Sequence, residues 1–398
     1  MDWARENMPV LARITRRLVS QQTFQGHRIG VCLHLEAKTA VLVEDLHRAG
    51  AKVAITGSNS LSTQDDVAAA LSETGVQVYA WRGVSDQDHQ ANLGRVLDTK
   101  PDIIVDDGAE LSIAAHDRGP GSYKRILGAC EETTTGVMRF KALENEGKLR
   151  FPVIAVNDAL TKFLFDSRYG TGQSGLEGIM RATNLLLAGR NVVVAGFGWV
   201  GRGVALRAKG MGSRVIVTEV NPVRALEALM EGFDVMPMVE AAQVGDLFIT
   251  ATGGTDVITR DHMIVMKDKA LLANVGHFNV EVSVRDLEKI AIKKKQVRPE
   301  VTEYTLKNHR RLYLLSQGRL VNLAAADGHP AEVMDMSFAD QALSAEYLIK
   351  NRGTLERKVI PVPEAIDMQV AGWRLEAFGR KIDKLSPSQK KYLQSWRL

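Results

Sequence analysis

The sequence predicts an α/β protein of two doubly wound parallel-sheet (Rossmann-like) domains plus a C-terminal helical tail. Three observations support this. Short apolar runs alternate with amphipathic helical stretches up to about residue 160, as in a parallel sheet covered by helices on both faces. A second alternating set begins after Gly172 and holds a glycine fingerprint. At 398 residues the chain suits two or three domains with ample core.

In the first domain the expected strands are Arg28–Leu35, Lys52–Thr56, Gln77–Trp81, Asp102–Val105 and Pro152–Val156. Amphipathic stretches such as Lys38–Ala49 and Asp65–Glu73 lie between them. In the second domain, strands are expected at Val192–Ala195, Arg214–Thr218, Leu247–Thr252 and Ala270–Asn274. From about Leu323 the pattern turns helical (Phe338–Lys350), then ends in a basic tail, Lys381–Leu398.

Hydrophobic residues at 45% and charged residues at 25% are ordinary for a globular chain. A net charge of +4 is small for this length, so no nucleic-acid face is expected; Lys293-Lys294-Lys295 reads as a solvated helix end. Cys32 and Cys130 sit in apolar or helical surroundings, which suggests a reduced compartment rather than a disulfide framework. The opening MDWARENMPVLARITRRL is amphipathic and mixed in charge, unlike a signal peptide. No apolar run approaches the ~18 residues of a membrane span. The expectation is a cytoplasmic protein with no membrane partner.

The fingerprint glycines are Gly196, Gly198 and Gly201, entered from Val192-Val193-Val194-Ala195. The first permits a tight turn, the second lets backbone approach a pyrophosphate, and the third lets helix pack on strand. The following helix, from Val204 to Lys209, offers N-terminal amides to the phosphates. Glu219 ends the next strand about 20 residues on, where an acid holds the ribose 2′-hydroxyl and repels a 2′-phosphate. The cofactor is therefore expected to be NAD.

Ligands of open α/β sheets bind beyond the carboxyl ends of the strands. The first domain places polar clusters there: His34, Glu36 and Lys38; Asn59, Ser62, Thr63, Gln64 and Asp65; Asp106, Asp107 and Glu110; Asn157 and Asp158. Each residue alone also suits a helix cap, as Asp65 and Asp106 show, yet four clusters at equivalent ends argue for one cleft. Lys162 and Asp166 share a helix face at i,i+4, either as a surface ion pair or as a lysine tuned to move a substrate proton. Glu131-Glu132 and Thr133-Thr134-Thr135 form a polar block that reads as a poor helix start or as a cofactor wall. His277 follows a strand of the second domain and His329 lies at the return toward the first. No metal ligand set is expected.

Eight strings occur in unbroken order: STQDD (62–66), DDGAEL (106–111), EETTTGV (131–137), VNDALTKFLFD (156–166), YGTGQS (169–174), VAGFGWVGRG (194–203), VGHFNVE (275–281) and GRLVNLAAADGHP (318–330). Together they resemble the S-adenosylhomocysteine hydrolase family. The resemblance implies hydrolysis of a thioether with NAD used catalytically. The ribose 3′-hydroxyl is oxidised, the ketone acidifies C4′–H, the homocysteine thiol is eliminated, water adds, and the ketone is reduced.

Carried over by motif, Lys162 and Asp166 would act on the 3′-hydroxyl, and Glu132 and Asn157 would fix the ribose hydroxyls and Lys162. Asp107 and His34 would move protons near C4′ and C5′. Thr63, Gln64 and His277 would surround the homocysteine end, and His329 would sit against the purine. Thr133, Thr134, Thr135, Trp199, Val200, Glu219, Arg224, Thr252, Gly253, Asn274, Gly276 and Asn322 would hold NAD with the fingerprint. Tyr392 of the tail would reach a neighbouring subunit's NAD, implying a homotetramer. The implied domains are 1–166 with 326–360 for substrate, 167–325 for NAD, and 361–398 as the tail.

The chain departs from the family pattern at Thr171, where many relatives have cysteine, at Ser167, commonly asparagine, and at Ser388, commonly lysine. A fourth departure touches the substrate. Many relatives read His-x-Thr-x-Glu where this chain has His34-Leu35-Glu36-Ala37-Lys38. A glutamate accepts from the 6-amino group of adenine, whereas an ammonium only donates and suits the 6-oxo group of hypoxanthine. A mismatched buried polar group is left unpaired, so such a site discriminates. The motif, found in a branch of the family acting on S-inosylhomocysteine, therefore favours the inosyl over the adenosyl substrate. The competing expectation is that Glu36 and Lys38 pair with each other and leave the purine to backbone groups. Two other functions share the fingerprint: an NAD-dependent dehydrogenase of a small amino or hydroxy acid, and a non-catalytic NAD-binding relative.

Overall fold

The computed structural model describes residues 1–396. A first sheet holds β1 (Arg28–Leu33), β2 (Lys52–Gly57), β3 (Gln77–Tyr79), β4 (Ile103–Asp106), β5 (Gly128–Glu131) and β6 (Val153–Ala155). The second holds β7 (Asn191–Ala195), β8 (Arg214–Thr218), β9 (Asp234–Val235), β10 (Leu247–Thr250), β11 (Ala270–Asn274), β12 (Ala291–Arg298), β13 (Val301–Leu306) and β14 (Arg311–Leu315). A last strand, β15 (Val359–Pro361), returns to the edge of the first sheet beside β6.

The first sheet is parallel throughout, in the order β15-β6-β5-β4-β1-β2-β3. Its strands are short and apolar because both faces are covered: Ile29 to Leu33 and the whole of β4 are buried. On one face pack the helices Pro9–Ser20, Ala37–Arg48 and Ala331–Lys350, through Leu11, Ile14, Leu42, Leu46, Phe338 and Leu343. Leu93, Leu97, Leu111, Phe140 and Phe151 fill the other.

The second sheet runs β12-β13-β14-β11-β10-β7-β8-β9. It is parallel from β14 to β9, with β12, β13 and β14 forming an antiparallel meander at one edge. Lys293, Lys294 and Lys295, expected to end a helix, lie exposed in the edge strand β12. Lysines on an edge strand keep its unpaired backbone from pairing with another chain.

In each sheet the strand order reverses beside the first strand of that set, between β1 and β4 and between β7 and β10. Both crevices open at carboxyl strand ends, where doubly wound sheets bind ligands. The chain leaves the first lobe through the short helix Leu160–Lys162, a π-helical stretch Phe163–Gly170 and the helix Thr171–Thr183. It returns through the segment 325–330 into the 20-residue helix Ala331–Lys350. No helix among the described residues is long and apolar enough to cross a membrane.

Candidate active site

One cleft of about 1280 Å³ lies between the lobes, lined from both. That volume exceeds the usual ~300–1,000 Å³ of a small-ligand pocket and suits two ligands side by side.

At one pole three side chains converge. His34 leaves the end of β1, Asp107 the end of β4, and His277 the loop after β11. His34 Nε2 is 3.0 Å from Asp107 Oδ2, and His277 Nδ1 is 3.4 Å from Asp107 Oδ1. The loop after β2 holds the other face of His34, with Ser62 Oγ at 2.8 Å and Ser58 Oγ at 3.0 Å from Nδ1. Burial pulls the His34 imidazole down to about 4 against the attraction of Asp107. It is therefore neutral at neutral pH, with Nε2–H donating to Asp107 and Nδ1 accepting from a serine hydroxyl. Behind this pole, Asp106 accepts from the backbone N–H groups of Leu111 and Ser112 and so caps the next helix. Asp65 accepts instead from Arg82 N, leaving its own helix N-capped at Gln64.

A second group surrounds Lys162, which is 5% exposed. Its Nζ lies 3.4 Å from Asp166 Oδ1 and 3.9 Å from Glu132 Oε1. Asp166 also meets His329 Nδ1 at 3.2 Å and accepts from Ser337 Oγ at 3.1 Å. Thr171 Oγ1 sits 2.9 Å from His329 Nε2. The outgoing and returning segments are therefore tied at one point, with His329 bonded to Asp166 through Nδ1 and to Thr171 through Nε2. Burial alone would lower Lys162 and raise Asp166, but their attraction wins, so the lysine is an ammonium and the aspartate an anion. Burial pushes Glu132 up to about 8, with Lys162 opposing and Asp166 reinforcing the shift. Its Oε2 accepts from Gln341 Nε2 at 2.6 Å, while its Oε1 is buried without a hydrogen-bond partner. Asn157 Oδ1 accepts from Thr134 Oγ1 at 3.2 Å on the same wall.

The block 131–135 divides its work. Glu131 ends β5 and accepts from the backbone N–H groups of Gly108, Ala109 and Thr133, fixing the loop that carries Asp107. Thr133 caps the helix Thr134–Asn145, and Thr133, Thr134 and Thr135 line the cleft.

The second lobe supplies a dinucleotide cradle. Gly196 has φ +95°, open to glycine alone without strain, and a Cβ on Gly201 would stand 1.9 Å from Gly196 O. The helix Trp199–Gly210 begins directly after Gly198, earlier than the expected Val204, with its N-terminus toward the cleft. Glu219 accepts from the backbone N–H groups of Phe197, Val220 and Asn221, which outweigh burial and hold it below the usual carboxylate range. Gly198, Trp199, Val200, Arg224, Thr252, Gly253 and Gly276 line the same wall. Asn322 also lines it, and its Oδ1 is buried without a partner, ready for a ligand donor. The residues present fit a dinucleotide.

Several predicted residues stand off the wall. Thr63 is buried behind it, and Gln64 stands at the N-cap position of the helix Asp65–Ser72 without a side-chain cap bond. Asn274 spends its amide inside the protein, donating to Gly276, Phe278 and Gly318 carbonyls and accepting from Gly276 N, so it shapes the His277 loop. Tyr392 is 58% exposed on the tail helix Pro387–Leu393, away from this cleft. Glu36 lines the cleft while its oxygens cap the helix Ala37–Arg48, accepting from Lys38 N and Thr39 N. Lys38 Nζ pairs with Glu36 Oε2 and donates to Asp327 O at 2.6 Å.

Sequence reading missed Ser58, Ser337 and Gln341. A signal for the last two was present: Ser337, Asp340, Gln341 and Ser344 are polar at i, i+3, i+4 and i+7 of a helix, one face, and all are fully buried.

A family model described as S-adenosyl-L-homocysteine hydrolase matches residues 1–123, and one for that family's NAD binding domain matches 167–328. A protein of Methanocaldococcus jannaschii described as S-inosyl-L-homocysteine hydrolase is 57% identical, covering 100% of this chain and 95% of its own. The chain belongs to the S-adenosyl-L-homocysteine hydrolase family. Adenosylhomocysteinases of Saccharolobus solfataricus and Archaeoglobus fulgidus are 54% and 55% identical over 100% of this chain and 95% and 98% of theirs. The cradle around Gly196, Gly201 and Glu219 lies inside the stretch matched by the family's NAD-binding domain.

Proposed function

We propose that this chain hydrolyses the C5′ thioether of an S-nucleosyl-L-homocysteine, reversibly, to homocysteine and the nucleoside, with NAD held in the second lobe. The observation that carries this reading is the buried ring Lys162–Asp166–Glu132, which shares one cleft with the dinucleotide cradle. Bound NAD⁺ supplies a reversible hydride acceptor for the ribose 3′ carbon, which lets the neighbouring C–H become acidic enough to expel a thiolate. The protein's part is proton handling and exclusion of water. Lys162 relays the 3′-hydroxyl proton; Asp166 fixes its Nζ, and Glu132, poised near neutrality, exchanges a proton beside it. Glu132 and Asn157 hold the ribose hydroxyls. Neutral His34 and Asp107 take and return protons at C4′ and C5′, His277 faces the homocysteine end with Thr63 and Gln64 behind, and His329 lies at the purine.

The inosyl substrate is the preferred one. Glu36 Oε1 accepts from Thr39 N and Oγ1, and Oε2 from Lys38 N and Nζ, so its four lone pairs are taken and none is left over for a 6-amino group. Lys38 stands behind the cleft wall with three N–H donors and two named partners, so one donor remains to turn toward a 6-oxo group. Overall identity does not choose, since relatives with either name stand at 54–57%. The exposed Tyr392 of the tail reaches the NAD of a neighbouring copy in a homotetramer, and the substrate unit is 1–166 with 326–360, the NAD unit 167–325. Thiol release measured side by side on S-inosyl- and S-adenosylhomocysteine tests the reading. A higher kcat/KM for the inosyl compound is expected; an adenosyl bias overturns the role of Lys38, and no thiol from either overturns the hydrolase.

A further inference from the structure

The buried face of the helix Ala331–Lys350 reaches two members of the Lys162 group and the residue that precedes the third. Ser337 donates to Asp166 and Gln341 to Glu132. Asp340 Oδ2 lies 2.7 Å from Oγ1 of Thr161, the residue before Lys162. The same Thr161 oxygen is 2.5 Å from Asp367 Oδ1, which comes from the helix Glu364–Ala377.

A hydroxyl has one hydrogen, so it can donate to only one of these two carboxylates. The other contact would set an oxygen lone pair against an oxygen anion in a site closed to solvent, Asp340 being 0% and Thr161 3% exposed. The rest of the bonding identifies which carboxylate is the anion. Asp367 also accepts from Leu160 N at 2.6 Å and Thr161 N at 2.9 Å, a set of donors that favours the charged form. Asp340 has no such donors, and its Oδ1 is buried without a hydrogen-bond partner. One additional proton satisfies every contact. Asp340 Oδ2–H donates to Thr161 Oγ1, and Thr161 O–H donates to Asp367 Oδ1.

We propose that Asp340 is held as a neutral carboxylic acid and is the positioning residue for Lys162, pinning the turn Leu160–Lys162 against Asp367. This rests on the reading of Lys162 as the group that handles the 3′-hydroxyl proton. The titratable groups facing Asp340 are Asp367 and Glu132; burial, opposed by the hydrogen bond with Thr161 and reinforced by these two, pushes its carboxyl well above the usual range. The device therefore persists at neutral pH. Loss of that proton at alkaline pH sets two anions on one hydroxyl, which moves the turn and with it Nζ.

The test joins an infrared measurement to kinetics. The resting protein, loaded with NAD but without substrate, is expected to show a protonated-carboxyl C=O band at neutral pH that is absent from D340N. Asparagine keeps a donor toward Thr161, so D340N is expected to hold kcat within about threefold. D340V removes the donor, and a reacting group displaced by a fraction of an ångström is expected to cost about tenfold or more in kcat, with KM nearly unchanged. The alkaline limb of kcat due to Asp340 is expected to vanish in D340N. No band assignable to Asp340, or an equal loss in D340N and D340V, overturns the proposal. If D340V does not fold, the band alone decides. The band needs no substrate, so it judges Asp340 even where absent thiol release by the parent protein overturns the hydrolase reading.

Discussion

Gly201→Ala is the sharpest probe of the cofactor cradle. A Cβ at position 201 would meet Gly196 O at 1.9 Å and Gly196 C at 2.8 Å, both inside the 3.0 Å that real contacts respect. Nothing flexible stands in the way to yield, because both atoms are backbone, and Gly196 is itself the φ +95° residue of the phosphate turn. The turn or the helix Trp199–Gly210 must move by about 1 Å, a strain comparable to overpacking at about 1–3 kcal/mol. That corresponds to NAD binding about 5- to 140-fold weaker. Calorimetric titration of cofactor-free protein with NAD⁺ reads this, with thermal unfolding of the cofactor-free form as a control. NAD⁺ binding within twofold of the parent protein would refute the assignment of this turn to the pyrophosphate.

Further outcomes follow from the same geometry. Lys162→Met is expected to lower kcat by about 10²–10⁴-fold, the usual worth of a placed acid–base group, with NAD binding unchanged by titration. Glu36→Thr with Lys38→Glu is expected to move the inosyl-to-adenosyl ratio of kcat/KM toward adenosyl by at least about tenfold, as one mismatched buried group implies; an unmoved ratio contradicts the purine assignment. Because burial lowers His34 to about 4, the unfolded chain binds the extra proton between its ordinary 6.5 and 4. Stability is then lost as pH falls through that window, by up to about 3 kcal/mol, and His34→Phe is expected to flatten the slope in a pH series of thermal unfolding. Glu219→Ala is expected to weaken NAD binding and narrow the preference over NADP, measured by paired titrations.

The parts of the fold that could be read in the sequence are those where local pattern and tertiary role coincide. β1, β2, β4 and β7 are continuous apolar runs because helices cover both faces of their sheets. β5 escaped notice since Gly-Ala-Cys-Glu carries little apolar bulk; Leu348 and Pro152 O lie within 3 Å of where a Cβ on Gly128 would sit. β12 reads as a helix end in the sequence, because an exposed edge strand is written in lysines. The π-helical turn at Phe163–Gly170 leaves no periodic mark distinct from an ordinary helix. Of the site, strand-end polar residues such as His34, Asp107 and Asn157 stood out, since doubly wound folds gather ligands there. Ser337 and Gln341 did not, because they act from a helix that crosses back from the other lobe.

A hydrolase of this kind leaves its NAD unchanged over each full turnover, whereas a dehydrogenase consumes it. NAD-loaded protein, with free NAD⁺ in excess, is mixed with excess S-inosylhomocysteine while released thiol and reduced-nicotinamide absorbance are followed together. Thiol is expected to accumulate over many turnovers while the absorbance never exceeds one equivalent per subunit. Absorbance that grows with every substrate consumed, with no thiol released, would contradict this and make this chain a dehydrogenase.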